Sequence, residues 1–245
     1  MVGRIFASNA ISLVQKSKNY NKMELINYTR LTPTLGGSLS NGWEVMKKYF
    51  LYLLLVVIVV GMVTGPAGSK ININSDNFVF SFGAILLMLF SMAYYFLLLP
   101  VFKYSSKLIY IDAVRDKEID FSKLIAGFKN YLNIILANLL KHALIAMGFL
   151  FFIIPGIIIA CRLAFVSYSV MDKDLDAIQA IEKSWKLTKG IGWNIFGMAI
   201  LSFFIGACGI AFFIIGIFPA LIWIHSSFAS MYQGALNKDD GLVEY

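Results

Sequence analysis

Along this chain the charges fall in clusters and the apolar residues in long unbroken runs. Tyr49–Ser69 holds no charge between Lys48 and Lys70, and Asn77–Phe102 holds none between Asp76 and Lys103. A helix rises 1.5 Å per residue, so about 20 apolar residues cross a hydrocarbon core roughly 30 Å thick. Each run therefore predicts one membrane-spanning helix. A third apolar region, Asn130–Met171, is interrupted only by Lys141, His142 and Arg162. As one straight helix it would reach about 63 Å, twice what the core needs. Pro155-Gly156, inside FFIIPGIII, is a turn signal that also breaks helices, which predicts a hairpin with spans near 131–154 and 157–171. The fourth region, Gly190–Asn237, holds one histidine and no formal charge. Gly206, Gly209, Gly216 and Pro219 punctuate it, predicting spans near 193–215 and 219–236. The expected fold is all-α: a polytopic membrane bundle of about six helices with further helices at the cytoplasmic interface.

The basic residues repeat this count. Seven (Arg4, Lys16, Lys18, Lys22, Arg30, Lys47, Lys48) precede the first span, and six (Lys103, Lys107, Arg115, Lys117, Lys123, Lys129) follow the second. Four more (Lys173, Lys183, Lys186, Lys189) follow the fourth, while the segment between the first two spans has only Lys70. Lysine and arginine accumulate in short cytoplasmic loops, so both termini are expected inside a bacterial inner membrane. Residues 1–30 lack the apolar core of a secretory signal, and Met23, opening MELINYTRLTP, is a candidate natural start. The expected organisation is a polar cytoplasmic segment over 1–39, a transmembrane domain over 40–237 and a short tail over 238–245.

Composition agrees. Of 245 residues, 59% are hydrophobic and only 14% charged, with a mean hydropathy of +0.74. Soluble domains carry about 25% charged residues, which excludes an ordinary soluble globule. The net charge of +7 is a topology signal, because no soluble basic face exists to hold nucleic acid.

Three segments repeat on the expected cytoplasmic side: NGWEVMKK from Asn41, AGFKN from Ala126 and KSWKLTKG from Lys183. Each sets a small residue and an aromatic (Gly42-Trp43, Gly127-Phe128, Ser184-Trp185) before lysines and an odd-numbered span. The second and third copies follow DKEID at Asp116 and DKDLD at Asp172. In DLDAIQAIEKSWKL, Asp176 is placed to cap a helix whose Ile178, Ile181 and Trp185 line one face, an interfacial pattern. The stretch Pro100–Phe196, carried by Pro155-Gly156, Arg162, Asp172, Ala180, Ser184-Trp185 and Lys189-Gly190, resembles poorly characterised six-helix inner-membrane families, among them the membrane domain found beside glycerophosphoryl diester phosphodiesterases. That resemblance implies a helical membrane fold and a lipid-linked setting; the phosphodiesterase catalytic domain itself is absent.

Candidate chemistry lies in polar residues within the spans. No acidic residue falls inside any expected span, and neither HExxH nor CxxC occurs, so no metal, cofactor or catalytic set is expected. Cys161 and Cys208 are expected to behave as small apolar residues. Arg162, about 10 Å along its helix from the Pro155 turn, reads either as an anion-binding group near Tyr168 or as a snorkelling side chain. Asn138, Lys141 and His142 share a helix face by spacing, lining a cavity or marking the membrane boundary. His225 and Gln233 read as partners inside the bundle, and Gly197, Ala199, Ser202, Gly206 and Gly209 as a close-packing seam. The expected ligand-binding residues are thus Arg162, Lys141, His142, Tyr168 and His225. The expected function is non-enzymatic handling of lipid or an amphipathic anion. The alternatives are a small-solute transporter or channel, or an accessory subunit with a protein partner or a second copy.

Overall fold

A computed structural model describes residues 28–64, 78–211 and 216–243. Met23, the Lys70 segment, the turn of the second hairpin and the last two residues lie outside them. Every regular element among the described residues is helical: α1 (Leu35–Thr64), α2 (Phe78–Ala93), a π turn (Tyr94–Leu98), α3 (Leu99–Val114), a 3-10 helix (Phe121–Phe128), α4 (Tyr131–Phe151), α5 (Ile153–Arg162), α6 (Val166–Lys173), α7 (Ala177–Leu187), α8 (Gly192–Ala211) and α9 (Ile217–Asp239). Five stretches are long and apolar enough to cross a membrane: Leu35–Thr64, Ile85–Val114, Tyr131–Phe151, Ile153–Lys173 and Gly192–Ala211.

The second of these departs from expectation. Pro100 and Lys103 were read as the end of an apolar run, yet the helix continues to Val114. Proline lacks an N–H and crowds the preceding turn. Here the π turn absorbs that defect: the Leu99 N–H bonds to the Tyr94 carbonyl, and Pro100 falls in the first turn of α3, where a missing donor costs nothing. Lys103 and Lys107 thereby become residues of a candidate span rather than of a loop.

The first hairpin forms, but its break is a single extended residue, Phe152 (φ −164°, ψ 161°), three residues before the expected Pro155-Gly156 turn, which falls instead within the first turn of α5. Gly148 and Gly156 allow the two helices to meet; a Cβ on Gly148 would lie 2.9 Å from the Gly156 Cα. The small residues of α8 do not form one seam. Gly209 meets the start of α9, whereas a Cβ on Gly206 would meet nothing within 4 Å.

α9 stands at the centre. Its residues Ser226, Ser227 and Ala229–Asn237 are buried, and α1 packs along it. Its polar side chains find partners there: the Asn41 amide donates to Ser230, and the Asn237 amide to the Tyr28 and Leu31 carbonyls. A core of Leu53, Val56, Ile109, Phe165, Met198 and Ile222 surrounds it, and a second cluster around Val101, Ile134, Leu163 and Ala180 joins α3 to α4–α7. Outside, large apolar side chains such as Leu86–Phe90, Leu132, Leu150 and Phe203 are exposed.

The repeated segments share a local role. Gly42 lies against Ser227, where a Cβ would come within 2.6 Å of the backbone nitrogen. The Gly127 N–H donates to Ser105 Oγ at 3.0 Å, and Ser184 Oγ donates to the Arg162 carbonyl while accepting from the Phe165 N–H. In each copy the small residue is a close-approach point. The aromatic beside it is left half exposed: Trp43 at 43%, Phe128 at 44% and Trp185 at 47%. Asp120 and Asp176 each cap the helix that follows, accepting from Ser122 N and Gln179 N at 2.8 Å. The copies differ in what comes next. Trp43 lies within a continuous helix kinked at Tyr49, whereas Phe128 ends a 3-10 helix and Trp185 lies in the separate α7.

Candidate functional site

Where α3 and α9 run side by side, Lys107 and His225 face each other. Lys107 Nζ lies 3.1 Å from His225 Nδ1; an ammonium can only donate, so the ring nitrogen accepts. The same ammonium sits 5.4 Å over the Tyr168 ring, within cation–π range. The Tyr110 ring is 5.2 Å from the His225 ring. The hydroxyls of Tyr110 and Tyr168 are buried without a hydrogen-bond partner. A buried hydroxyl left unmatched costs about 1–3 kcal/mol, so two of them beside an ammonium mark a place where a polar ligand or water would be stabilised.

Two cavities meet at this pair. One, of about 450 Å³, is lined by Lys107, Lys141, Ser167, Tyr168, Ile195 and His225 among others. The other, of about 370 Å³, is lined by Val56, Val60, Lys103, Lys107, Tyr110 and His225 among others. Lys107 and Lys141 are partly buried there, Lys103 lines the second cavity but is itself exposed, and no carboxylate among the described residues lines either one. The acids on neighbouring elements are engaged elsewhere: Asp112 with Lys123 at 2.7 Å, Asp116 with Lys48 and Tyr49, and Asp172 with Arg115.

The Arg115–Asp172 pair forms a floor beside the chamber. Arg115 grips Asp172 with two N–H groups, one at 2.8 Å, and its Nε donates to Gln233 Oε1 at 2.8 Å. Gln233 donates onward to Asn237. Burial pulls the Arg115 pKa down, but the hydrogen bond and charge of Asp172 outweigh it, and the net direction is upward. The Tyr232 hydroxyl donates to Asp172 at 3.2 Å, and its ring stacks on Tyr168 with centroids 5.1 Å apart. Asp172, Tyr232, Tyr168 and Lys107 therefore form a continuous line of contacts into the chamber.

Residues 121–235 match a family model described as a domain of unknown function, DUF7847. No curated protein and no solved structure matches the chain. The matched stretch runs from the 3-10 helix into α9, so it includes Lys141, Arg162, Tyr168 and His225 but not Lys103 or Lys107.

Of the residues expected from sequence, Lys141, Tyr168 and His225 come together at the chamber. His142 does not. It is exposed, and its Nδ1 donates to the Asn138 carbonyl at 2.6 Å instead of lining the cavity with Lys141. Arg162 lies apart from Tyr168, at the C-terminal end of α5, with its guanidinium 5.7 Å from the Trp185 ring. Lys103, Lys107 and Tyr110 were missed. The signal available was the absence of any helix breaker between Pro100 and Asp116, together with the burial-prone spacing of Val101, Tyr104 and Ile111 around them.

Proposed function

We propose that this is a non-enzymatic membrane protein that binds an amphipathic anion, with the anionic group held at Lys107, Lys141 and His225. The observation that carries this reading is the lysine set that no acid among the described residues faces inside a bundle. A lysine at bilayer depth costs about 2.5–3.5 kcal/mol on insertion scales, so unmatched cations there call for a counter-charge. The exposed apolar belt, five span-length helices and half-exposed aromatics of the repeats support a membrane setting. In this setting α9 is the sixth span, polar because it is enclosed by protein rather than lipid. The lysine-bearing connectors after α3 and α6 lie in the cytoplasm of a bacterial inner-membrane protein, with both termini on that side. Reporter fusions at the Asp116 and Asp172 connectors test this arrangement: opposite faces would refute it.

Equilibrium binding of an alkyl phosphate to the detergent-solubilised full chain tests the ligand class. Hydrogen bonds to charged groups contribute about 1.5–3 kcal/mol, so Lys107→Gln and Lys141→Gln are each expected to weaken binding by about 10–100-fold. Unchanged affinity in both, or equal binding of an uncharged alkyl glucoside, would refute it. Transport of the anion is the second reading. It is favoured by one feature: Lys107 and His225 belong to the walls of both cavities, so their contact is a partition that rearrangement would open.

A further inference from the structure

A groove of about 570 Å³ runs between α5 and α8, with Ile154, Ile157, Ile158 and Phe196 along its length and Arg162 and Trp193 at one end. Its long walls are apolar and its end is cationic. The Arg162 Nη1 is buried and has no hydrogen-bond partner, although the same guanidinium is held against Trp185. Gly192, where α8 begins, also lines that end, so the positive pole of a 20-residue helix points to the same place. Ile157, Cys161 and Phe196 line both this groove and the Lys107–Lys141 chamber, which makes the two spaces neighbours across a wall one side chain thick.

We propose that the α5–α8 groove is a lipid-binding site, taking one acyl chain of an anionic phospholipid along Ile154–Phe196 and its phosphate at Arg162. An uncharged occupant would leave the Arg162 Nη1 unmatched, and a free phosphate would leave the apolar length empty. A phospholipid satisfies both. Because the groove adjoins the chamber, it is also the lateral entrance from the bilayer for an amphipathic anion. The proposal takes only its ligand class from the chamber reading and stands on a different set of side chains.

Cys161, at the shared wall, reports occupancy. The full chain carrying Cys208→Ser, which removes the exposed second thiol, is placed in nanodiscs of phosphatidylcholine with or without an equal share of phosphatidylglycerol. The rate of Cys161 modification by a membrane-permeant thiol reagent is then followed. A bound chain shields the thiol in proportion to occupancy, so phosphatidylglycerol is expected to slow the reaction by about fivefold or more at saturating lipid. Arg162→Gln should abolish that protection. Ile158→Trp, at a half-exposed position that tolerates bulk, should slow modification in both lipids and leave phosphatidylglycerol without further effect. Inorganic phosphate added to phosphatidylcholine discs should protect nothing. Equal rates in the two lipids, or equal protection in Arg162→Gln, would overturn the proposal, as would protection by phosphate alone. Lys107→Gln separates the two sites: protection retained there while alkyl phosphate binding is lost supports a distinct groove, and loss of both means that Cys161 reports only the chamber.

Discussion

The Arg115–Asp172 pair offers the sharpest energetic test. Arg115 is 15% exposed and Asp172 only 4%, so neither charge is well hydrated. Replacing Arg115 by methionine strands a buried carboxylate whose remaining partner is the Tyr232 hydroxyl, and breaking such a pair costs about 3–5 kcal/mol. Asp172→Leu strands the guanidinium, which keeps only Gln233, at a similar cost. In the double variant no charge is stranded. What remains lost are the hydrogen bonds to Gln233 and from Tyr232, about 2 kcal/mol together, with an apolar pair in place of the ions. The coupling energy is therefore large, about 4 kcal/mol or more by this reckoning. Reversible unfolding in mixed micelles, followed by tryptophan fluorescence over a denaturing-detergent series, measures all four corners of the cycle. Single-variant costs that simply add, or an Arg115→Met cost below about 1 kcal/mol, would show that the pair is solvated and refute the argument.

The same assay checks two further expectations. Gly42→Ala forces a methyl against the Ser227 backbone and should cost about 1–3 kcal/mol, whereas Gly206→Ala, with open space around it, should be neutral or stabilising by up to about 1 kcal/mol. Asp239 meets Lys183 and Lys186, each at 2.8 Å. Burial raises its pKa, but the two lysine hydrogen bonds outweigh burial and hold it below the usual carboxylate range. A depressed folded pKa stabilises above the unfolded value, about 3.9, and that contribution disappears as pH falls through the folded value. Asp239→Asn should thus cost about 0.5–1 kcal/mol at neutral pH, less in high salt, and nothing once both forms are protonated in acid.

The parts of the molecule that were legible in the sequence are those fixed by a single strong effect. Charge-free length marked the candidate spans, and a break near Pro155-Gly156 was legible because proline disfavours the helix before it, although the break falls at the exposed Phe152. The Asp176 cap was legible because an aspartate just before an amphipathic run suits an N-cap, and the structure adds the same role for Asp120. α3 was not legible, because a lysine ordinarily marks the end of an apolar span. A membrane helix that faces protein rather than lipid escapes that penalty, and Lys107 does face protein, against His225 and Tyr168, while Lys103 stays exposed. The separation of Arg162 from Tyr168 was likewise hidden, since it depends on the irregular residues 163–165 between α5 and α6 re-aiming the chain. His142 shows the limit of face counting, because a local bond to the Asn138 carbonyl outweighs its nominal position beside Lys141.

The polarity of α9 and the lysines of the chamber are two sides of one physical constraint. A helix enclosed by others has no lipid to satisfy, so serine, glutamine and asparagine can occupy it if each finds a partner. Most of those on α9 do: Ser227 and Ser230 donate to carbonyls four residues back, Gln233 to Asn237, and Asn237 to the carbonyls of residues 28 and 31. The network is nearly closed at its Asn237 end. It stays open at His225, where Lys107 meets the ring but no acid among the described residues, and the two tyrosine hydroxyls have no partner. A bundle built only for stability would have closed that end too, with a carboxylate or with apolar side chains, since either choice avoids the cost of an unpaired ammonium. The unmatched charge is confined to one end of an otherwise satisfied post, and it lies beside a groove whose own arginine also lacks a partner. An anion from outside the chain, as proposed above, would supply the counter-charge that both places lack.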